Sequence, residues 1–257
     1  MDYEIRAMSF GEILDMGFRI IRNHFVLLVG LQAIIVVPTR LVADAINSGV
    51  GTSDPMAMLA GLLPVFLALL LLQPIIMAAI THAIGENYLS RSVTFGGALR
   101  FALSIVLPLV GTWILSSIVV VAGFALLVIP GLILVLAFAV LTPVMVTEQI
   151  FGLKALERSW VLMRGHKLRA LGLLVVAGIL STSLTAGVDL VAGFIPVFGS
   201  VVAGIVQGAA NAFGTAALVV LYFDIRCRKE AFDLEHLARQ VESGAAAPAA
   251  GPGGGIG

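Results

Sequence analysis

Long apolar stretches alternate along the chain with shorter segments that carry most of the charges. A helix that crosses a bilayer needs about 20 mostly apolar residues, because about 30 Å of hydrocarbon is crossed at about 1.5 Å per residue. Residues 101–147 contain no charged residue, His, Asn or Gln, and as one helix they would be about 70 Å long. This stretch predicts two crossings joined by a hairpin at Ile129-Pro130-Gly131, where proline and glycine favour a turn.

Two further pairs of apolar stretches lead to the same interpretation. Residues 170–223 carry one charge, Asp189, and a Gly/Pro-containing breaker lies at 193–199. Near the start, a polar loop over 47–55 separates two more apolar runs. We therefore predict an all-α polytopic membrane protein with six transmembrane helices arranged as three hairpins. The predicted spans are 25–43, 56–81, 101–128, 131–147, 170–192 and 197–223.

A charged, half-apolar segment with a related start precedes each predicted hairpin. The three starts are residues 9–14 (SFGEIL), 94–99 (TFGGAL) and 151–156 (FGLKAL). In the first, Ser9 and Glu12 predict a capping box, and the apolar positions that follow have helical spacing. We expect each hairpin to be preceded by an interfacial amphipathic helix, which gives three parallel units. Chance recurrence of a Phe-Gly pair in this glycine-rich chain is the alternative.

The ends of the chain differ from its apolar centre. Residues 1–24 predict an N-terminal cytoplasmic or interfacial helix, 25–223 the transmembrane domain, and 224–242 a cytoplasmic helix. Residues 243–257 are rich in Ala, Pro and Gly and predict a disordered tail. The first apolar run follows a charged segment and lacks an A-x-A site, so we expect no cleavable signal peptide.

Composition supports this class of protein. Hydrophobic residues make up 60% of the chain, charged residues 12%, and the mean hydropathy is +1.08, whereas about a quarter of the residues of soluble proteins are charged. These values exclude a soluble globular enzyme. Equal numbers of acidic and basic residues give no net charge, and the lone Cys227 excludes an internal disulfide framework.

The basic residues are distributed unevenly. Of the 15 Lys and Arg residues, all but Arg40 fall on one side of the six predicted spans. Because cytoplasmic loops carry the excess of Lys and Arg, both termini are expected in the cytoplasm. Six of these cations are candidate lipid-headgroup contacts: Arg19, Arg22, Arg158, Arg164, Lys167 and Arg169.

A few polar residues lie within or at the ends of the spans. Arg40, Asp44 and Asp189 are the candidate members of an outer ion pair. They would form an ion or substrate gate on the outer side or, alternatively, an ion pair at the level of the headgroups. The candidate intramembrane polar cluster consists of Gln32, Gln73, Gln207 and Asn211, which would bond between helices or line a polar cavity. Gly204 and Gly208 have the small-xxx-small spacing that allows helices to approach closely.

Signatures of catalysis are missing from the sequence. The four histidines are dispersed without metal-ligand spacing, and no G-x-S-x-G elbow occurs. The basic residues lack the aromatic interleaving of a nucleic-acid-binding surface. We predict no catalytic residue, no metal, no cofactor and no nucleic-acid partner.

Two stretches resemble a known family. Residues 155–169 (ALERSWVLMRGHKLR) and 222–235 (YFDIRCRKEAFDLE) resemble signatures of the bacterial glycerophosphoryl diester phosphodiesterase membrane-domain family, over about residues 9–242. The resemblance implies a stand-alone six-helix module of the bacterial inner membrane, without the catalytic barrel. It supplies no catalytic residue. The charged residues that match the exit from the sixth helix are expected to neutralise one another: Asp224, Arg226, Arg228, Glu230 and Asp233.

The sequence leaves two functions open; a third, an enzyme embedded in the membrane, would need a cluster of titratable residues that the sequence does not display. The first is a non-enzymatic accessory or scaffold protein that contacts membrane lipids and either another envelope protein or further copies of itself. The alternative is a small-molecule or lipid transporter with a polar cavity in the helix bundle.

Overall fold

The computed structural model describes residues 8–49, 55–88, 93–192 and 196–230. All regular structure in these ranges is helical. The helices are α1 (Phe10–Asn23), α2 (Phe25–Gly49), α3 (Pro55–Tyr88), α4 (Phe95–Ser104), α5 (Val106–Leu126), α6 (Val128–Ala137), α7 (Leu141–Glu148), α8 (Leu153–Met163), α9 (Lys167–Ala192) and α10 (Pro196–Glu230). The predicted tail over 243–257 and most of the predicted helix over 224–242 lie outside the described residues.

Five stretches of the described chain are long and apolar enough to cross a membrane: Phe25–Asp44, Val106–Leu126, Val128–Glu148, Lys167–Leu190 and Gly199–Glu230. They correspond to five of the six predicted spans. The remaining one, 56–81, lies within α3, a continuous helix of 34 residues. The chain therefore has the architecture of an all-helical, multi-pass membrane protein.

Prolines determine where two predicted spans are interrupted. A proline cannot donate a hydrogen bond to the carbonyl of residue i−4, and its ring clashes with that group. For Pro108 that residue is Ser104, where α4 ends, and for Pro143 it is Ala139, which lies between α6 and α7. The predicted spans 101–128 and 131–147 are therefore not single helices. Each consists of two helical pieces.

The hairpin between α5 and α6 turns earlier than the sequence predicts. Leu127 has an extended backbone (φ −166°, ψ 157°) and separates the two helices, whereas Pro130 lies in the first turn of α6. Proline is accommodated there because the first amides of a helix have no intrahelical acceptor. Gly131 instead permits close packing, since a Cβ on it would lie 2.4 Å from the ring of Phe124.

The starts of α1 and α4 match each other. Ser9 Oγ accepts from the Glu12 amide at 3.4 Å, and Glu12 Oε2 accepts from the Ser9 amide at 2.6 Å, which confirms the capping box. Thr94 Oγ1 caps α4 by accepting from the Gly97 amide at 3.2 Å. The third start differs, because α8 follows Gly152, which has a φ of +67° and provides no side-chain cap.

A short-long-long order of helices recurs along the described chain. The short helices α1, α4 and α8 precede the pairs α2–α3, α5–α6/α7 and α9–α10. The members of each pair pack against each other. Helix α4 packs on α3, and α8 packs on α7, so each of these short helices contacts the second arm of the pair before it. Helix α1, which has no described pair before it, packs on α10.

Helix α1 buries its apolar face against protein. Ile13, Gly17, Ile20 and Ile21 are buried, and a Cβ on Gly17 would lie 3.4 Å from the backbone nitrogen of Ala217 in α10. Part of the predicted apolar stripe of α1 is therefore covered by α10 and α2, whereas Phe18 of the same stripe is 60% exposed. Its location in the headgroup plane stays a prediction.

Close contact between α2 and α10 follows from two glycines. A Cβ on Gly204 would lie 3.1 Å from the Cα of Val37, and one on Gly208 would lie 3.4 Å from the Cβ of Gln32. The predicted small-xxx-small approach is confirmed. Helix α10 continues to Glu230 without a break, so the predicted boundary at 223/224 is not a helix end.

Candidate functional site

Two networks of charged side chains lie where the end of α7 and the end of α10 meet α8. This region is called here the charged end. In the first, Arg158 of α8 lies between two carboxylates. Its Nε donates to Glu148 Oε2 at 2.7 Å, and a second guanidinium nitrogen lies 2.5 Å from Glu230 Oε1. Burial disfavours the charged guanidinium, but its hydrogen bonds to both carboxylates outweigh burial and raise the pKa of Arg158.

Tyr222 extends this network into the core. Its side chain is fully buried, and its hydroxyl donates to Glu148 Oε1 at 2.9 Å and accepts from Thr147 Oγ1 at 2.6 Å. Arg226, one turn further along α10, donates to Glu230 Oε2 at 2.9 Å. These bonds fasten α7, α8 and α10 together.

The second network surrounds the carboxylate of Asp224, which has no solvent-exposed surface. Its Oδ1 accepts from the Met8 amide at 2.6 Å and from Arg228 Nε at 3.0 Å, and its Oδ2 accepts from Arg169 at 2.9 Å. The Met8 carbonyl in turn accepts from Arg228 at 2.7 Å. The segment before α1 is thereby fixed to α9 and α10.

The six predicted headgroup contacts fall into two groups. Arg158 and Arg169 are held in ion pairs within the protein. Arg19, Arg22 and Arg164 are exposed, and the Nζ of Lys167 lies 4.1 Å from the centroid of the Trp160 ring. The second group forms no such ion pair within the described part of the chain and is therefore the better placed to contact a lipid headgroup.

Sequence reasoning did not identify Glu148, Tyr222 or Met8 as members of these networks. Their partners are distant in the chain, and no local pattern indicates such pairings. The neutralisation expected within the exit motif is confirmed where it is local, because Arg228 pairs with Asp224 and Arg226 with Glu230 at i,i+4 spacing. Asp233 lies outside the described residues.

At the opposite end of the bundle, Arg40 contacts one member of the predicted outer ion pair and one member of the predicted intramembrane polar cluster. It forms an ion pair with Asp189 of α9 and donates to Gln207 Oε1 of α10 at 3.2 Å. The third predicted member, Asp44, is half-buried and takes no part in this contact. The predicted outer ion pair is therefore Arg40–Asp189, and it includes one amide of the predicted intramembrane cluster.

The four predicted amides do not form one hydrogen-bonded cluster among the described side chains. Gln73 and Asn211 are half-buried, and Gln207 bonds to Arg40. Gln32 is completely buried, and neither its amide nitrogen nor its amide oxygen has a hydrogen-bond partner. A buried polar group without a partner costs about 1–3 kcal/mol of stability.

We expect the replacement Gln32→Met to raise the stability of the protein, because it keeps the side-chain length and removes the unpaired amide. Thermal unfolding in detergent micelles measures the effect. Gln207→Met is the matched control and is expected to lower the unfolding temperature, since it removes the acceptor of Arg40. A less stable Gln32→Met protein would contradict this interpretation of the amide.

A cavity of about 460 Å³ lies between α3, α5, α6, α7, α9 and α10. Its lining is mainly apolar, with Trp113, Ser116, Ser117 and Thr142 as the residues that carry polar side-chain atoms. Both serine hydroxyls donate to the Trp113 carbonyl, at 2.8 and 2.9 Å. None of the four predicted amides is among its lining residues.

Within residues 8–49, 55–88, 93–192 and 196–230, no group of three His, Cys, Asp or Glu side chains is arranged to hold a metal ion.

No protein-family model, curated protein or solved structure matches the chain. The resemblance of residues 155–169 and 222–235 to the membrane-domain family stays a prediction. Function is therefore inferred from the geometry of the chain itself.

Proposed function

We propose that the protein is a non-enzymatic integral membrane protein of the bacterial inner membrane that binds anionic lipid headgroups at its charged end and acts there as a scaffold. The observation that carries this proposal is the contrast between paired and exposed charges. The carboxylates of Glu148, Asp224 and Glu230 are already matched to arginines. The cations Arg19, Arg22 and Arg164 remain exposed.

Exposed cations next to membrane spans attract anionic lipids. Each Lys or Arg near an anionic leaflet contributes about 1 kcal/mol, and the attraction decreases within a Debye length. The two networks fix the positions of α1 and α8. The exposed cations Arg19, Arg22 and Arg164 therefore lie at defined positions on the protein surface.

The proposal includes a topology of six spans in three hairpins, with both termini in the cytoplasm. The recurring short-long-long order and the packing of each short helix on a preceding arm support it. The positive-inside distribution of Lys and Arg supports the orientation.

Lipid preference in reconstituted bilayers tests the function. Quenching of the two tryptophans by brominated phosphatidylglycerol or brominated phosphatidylcholine reports which lipid surrounds the protein. We expect the wild type to favour phosphatidylglycerol, and the variant Arg19→Gln/Arg22→Gln/Arg164→Gln/Lys167→Gln to lose that preference. The control Asp15→Asn/Glu157→Gln alters two exposed carboxylates and should retain it. Equal quenching of the wild type by both lipids would refute the proposal.

Transport of a small molecule or lipid is a second candidate. The unpaired amide of Gln32 favours it, because a passing polar ligand would satisfy that group. The bond between Gln207 and Arg40 reduces its support. If Gln32→Met folds normally but loses flux of a polar solute across proteoliposomes that the wild type supports, transport becomes the stronger candidate.

A further inference from the structure

The 460 Å³ cavity has the chemistry of a site for a hydrocarbon chain. Five of the helices that line it, α5, α6, α7, α9 and α10, belong to stretches apolar enough to span a membrane, so the cavity lies at hydrocarbon depth. Its volume falls within the roughly 300–1,000 Å³ of small-ligand sites. The hydroxyls of Ser116 and Ser117 already donate to a backbone carbonyl and do not require a polar ligand.

The cavity reaches the outer surface of the helix bundle beside α5. Val121, one of its lining residues, is 66% exposed. Because this part of α5 belongs to a candidate span, the medium outside the opening is hydrocarbon rather than water. A lipid chain can therefore enter sideways from the bilayer.

A cation lies at the span end above this cavity. Lys167 precedes the lining residue Leu174 by seven residues, so both lie on one face of α9, about 10 Å apart along the helix. The Nζ of Lys167 is fixed over the Trp160 ring, and Arg164 is exposed three residues earlier. A phospholipid matches this arrangement, because its negatively charged phosphate can contact these cations while its acyl chain lies in the apolar cavity.

We propose that the cavity binds an acyl chain of one anionic phospholipid whose phosphate contacts Lys167. This rests on the proposed function and deepens it, because it assigns one specific lipid site within the general headgroup contacts. Apolar burial holds the chain, and the ammonium group selects the charge of the headgroup.

Native mass spectrometry of the full chain, with phosphatidylglycerol or phosphatidylcholine added in detergent, tests the site. We expect one phosphatidylglycerol to be retained per chain. Val121→Trp places a bulky side chain at the opening and should weaken retention by about tenfold. Ile118→Trp is the matched control, since Ile118 lies one turn away on α5, is 61% exposed and does not line the cavity.

The headgroup contact has its own pair of variants. Lys167→Gln should abolish the preference for phosphatidylglycerol over phosphatidylcholine, whereas Lys154→Gln, which alters an exposed lysine of α8, should leave it unchanged.

Each outcome has a defined meaning. Wild-type retention in Val121→Trp overturns the cavity site, and an unchanged preference in Lys167→Gln overturns the headgroup contact. Both results leave the proposed function standing, because that function fails only if the wild type shows no anionic preference in bilayers. Equal retention of both lipids by the wild type overturns the assignment of an anionic lipid.

Discussion

Replacing Asp224 with Asn is expected to destabilise the protein by about 3–5 kcal/mol, the usual cost of breaking a buried ion pair. The carboxylate is fully buried and accepts from Arg169, Arg228 and the Met8 amide. Asparagine has the same shape but no negative charge, so two guanidinium groups would lose their counter-ion. Unfolding of the purified protein in mixed micelles, followed by tryptophan fluorescence, measures the change.

Asp15→Asn is the matched control for this prediction. Asp15 is exposed on α1, and surface substitutions usually change stability by less than about 0.5 kcal/mol. Equal stabilities of the Asp224→Asn and Asp15→Asn proteins would show that the Asp224 network does not hold the N-terminal segment.

Replacing Arg158 with Met should have the second-largest effect, a loss of about 2 kcal/mol, which is smaller because water partly screens this pair. The variant leaves Glu148 and Glu230 as neighbouring carboxylates without the guanidinium between them. Mutual repulsion should loosen α8 from α7 and α10. Limited proteolysis at the connection between α8 and α9, together with thermal unfolding, detects this loosening.

Two comparisons make the Arg158 result specific. Arg164→Met removes an exposed cation only six residues away and should be close to neutral. Adding Glu148→Gln to Arg158→Met should restore part of the stability, because contacting residues are not additive. If the double variant loses the sum of the single effects, the two side chains act independently and the network assignment is wrong.

Features that depend on neighbouring residues could be predicted from the sequence. The capping box of Ser9 and Glu12 follows from three residues of separation, and the apolar stretches follow from length and composition alone. The close approach at Gly204 and Gly208 also follows from a local spacing. In each case the deciding interaction is within one helix or depends on the size of a side chain.

Features that depend on how helices meet could not be predicted. Pairing of Asp224 with Met8 joins residues 216 positions apart, and Arg158 reaches Glu230 across another pair of helices. The sequence predicts the turn about three residues after Leu127, because Pro130 and Gly131 are typical turn residues. In the structure Pro130 lies in the first turn of α6 and Gly131 packs against Phe124. Burial of the α1 apolar face by α10 likewise depends on tertiary packing.

The most direct test of the account is the side of the membrane on which two connections lie. In a Cys227→Ser background, a single cysteine is introduced as Leu127→Cys, at the turn between α5 and α6, or as Arg164→Cys, between α8 and α9, and spheroplasts are treated with a membrane-impermeant maleimide. Six crossings with the cations inside predict that Leu127→Cys is labelled from outside and Arg164→Cys only after permeabilisation. Labelling of Arg164→Cys in intact spheroplasts, or protection of Leu127→Cys, would contradict the account.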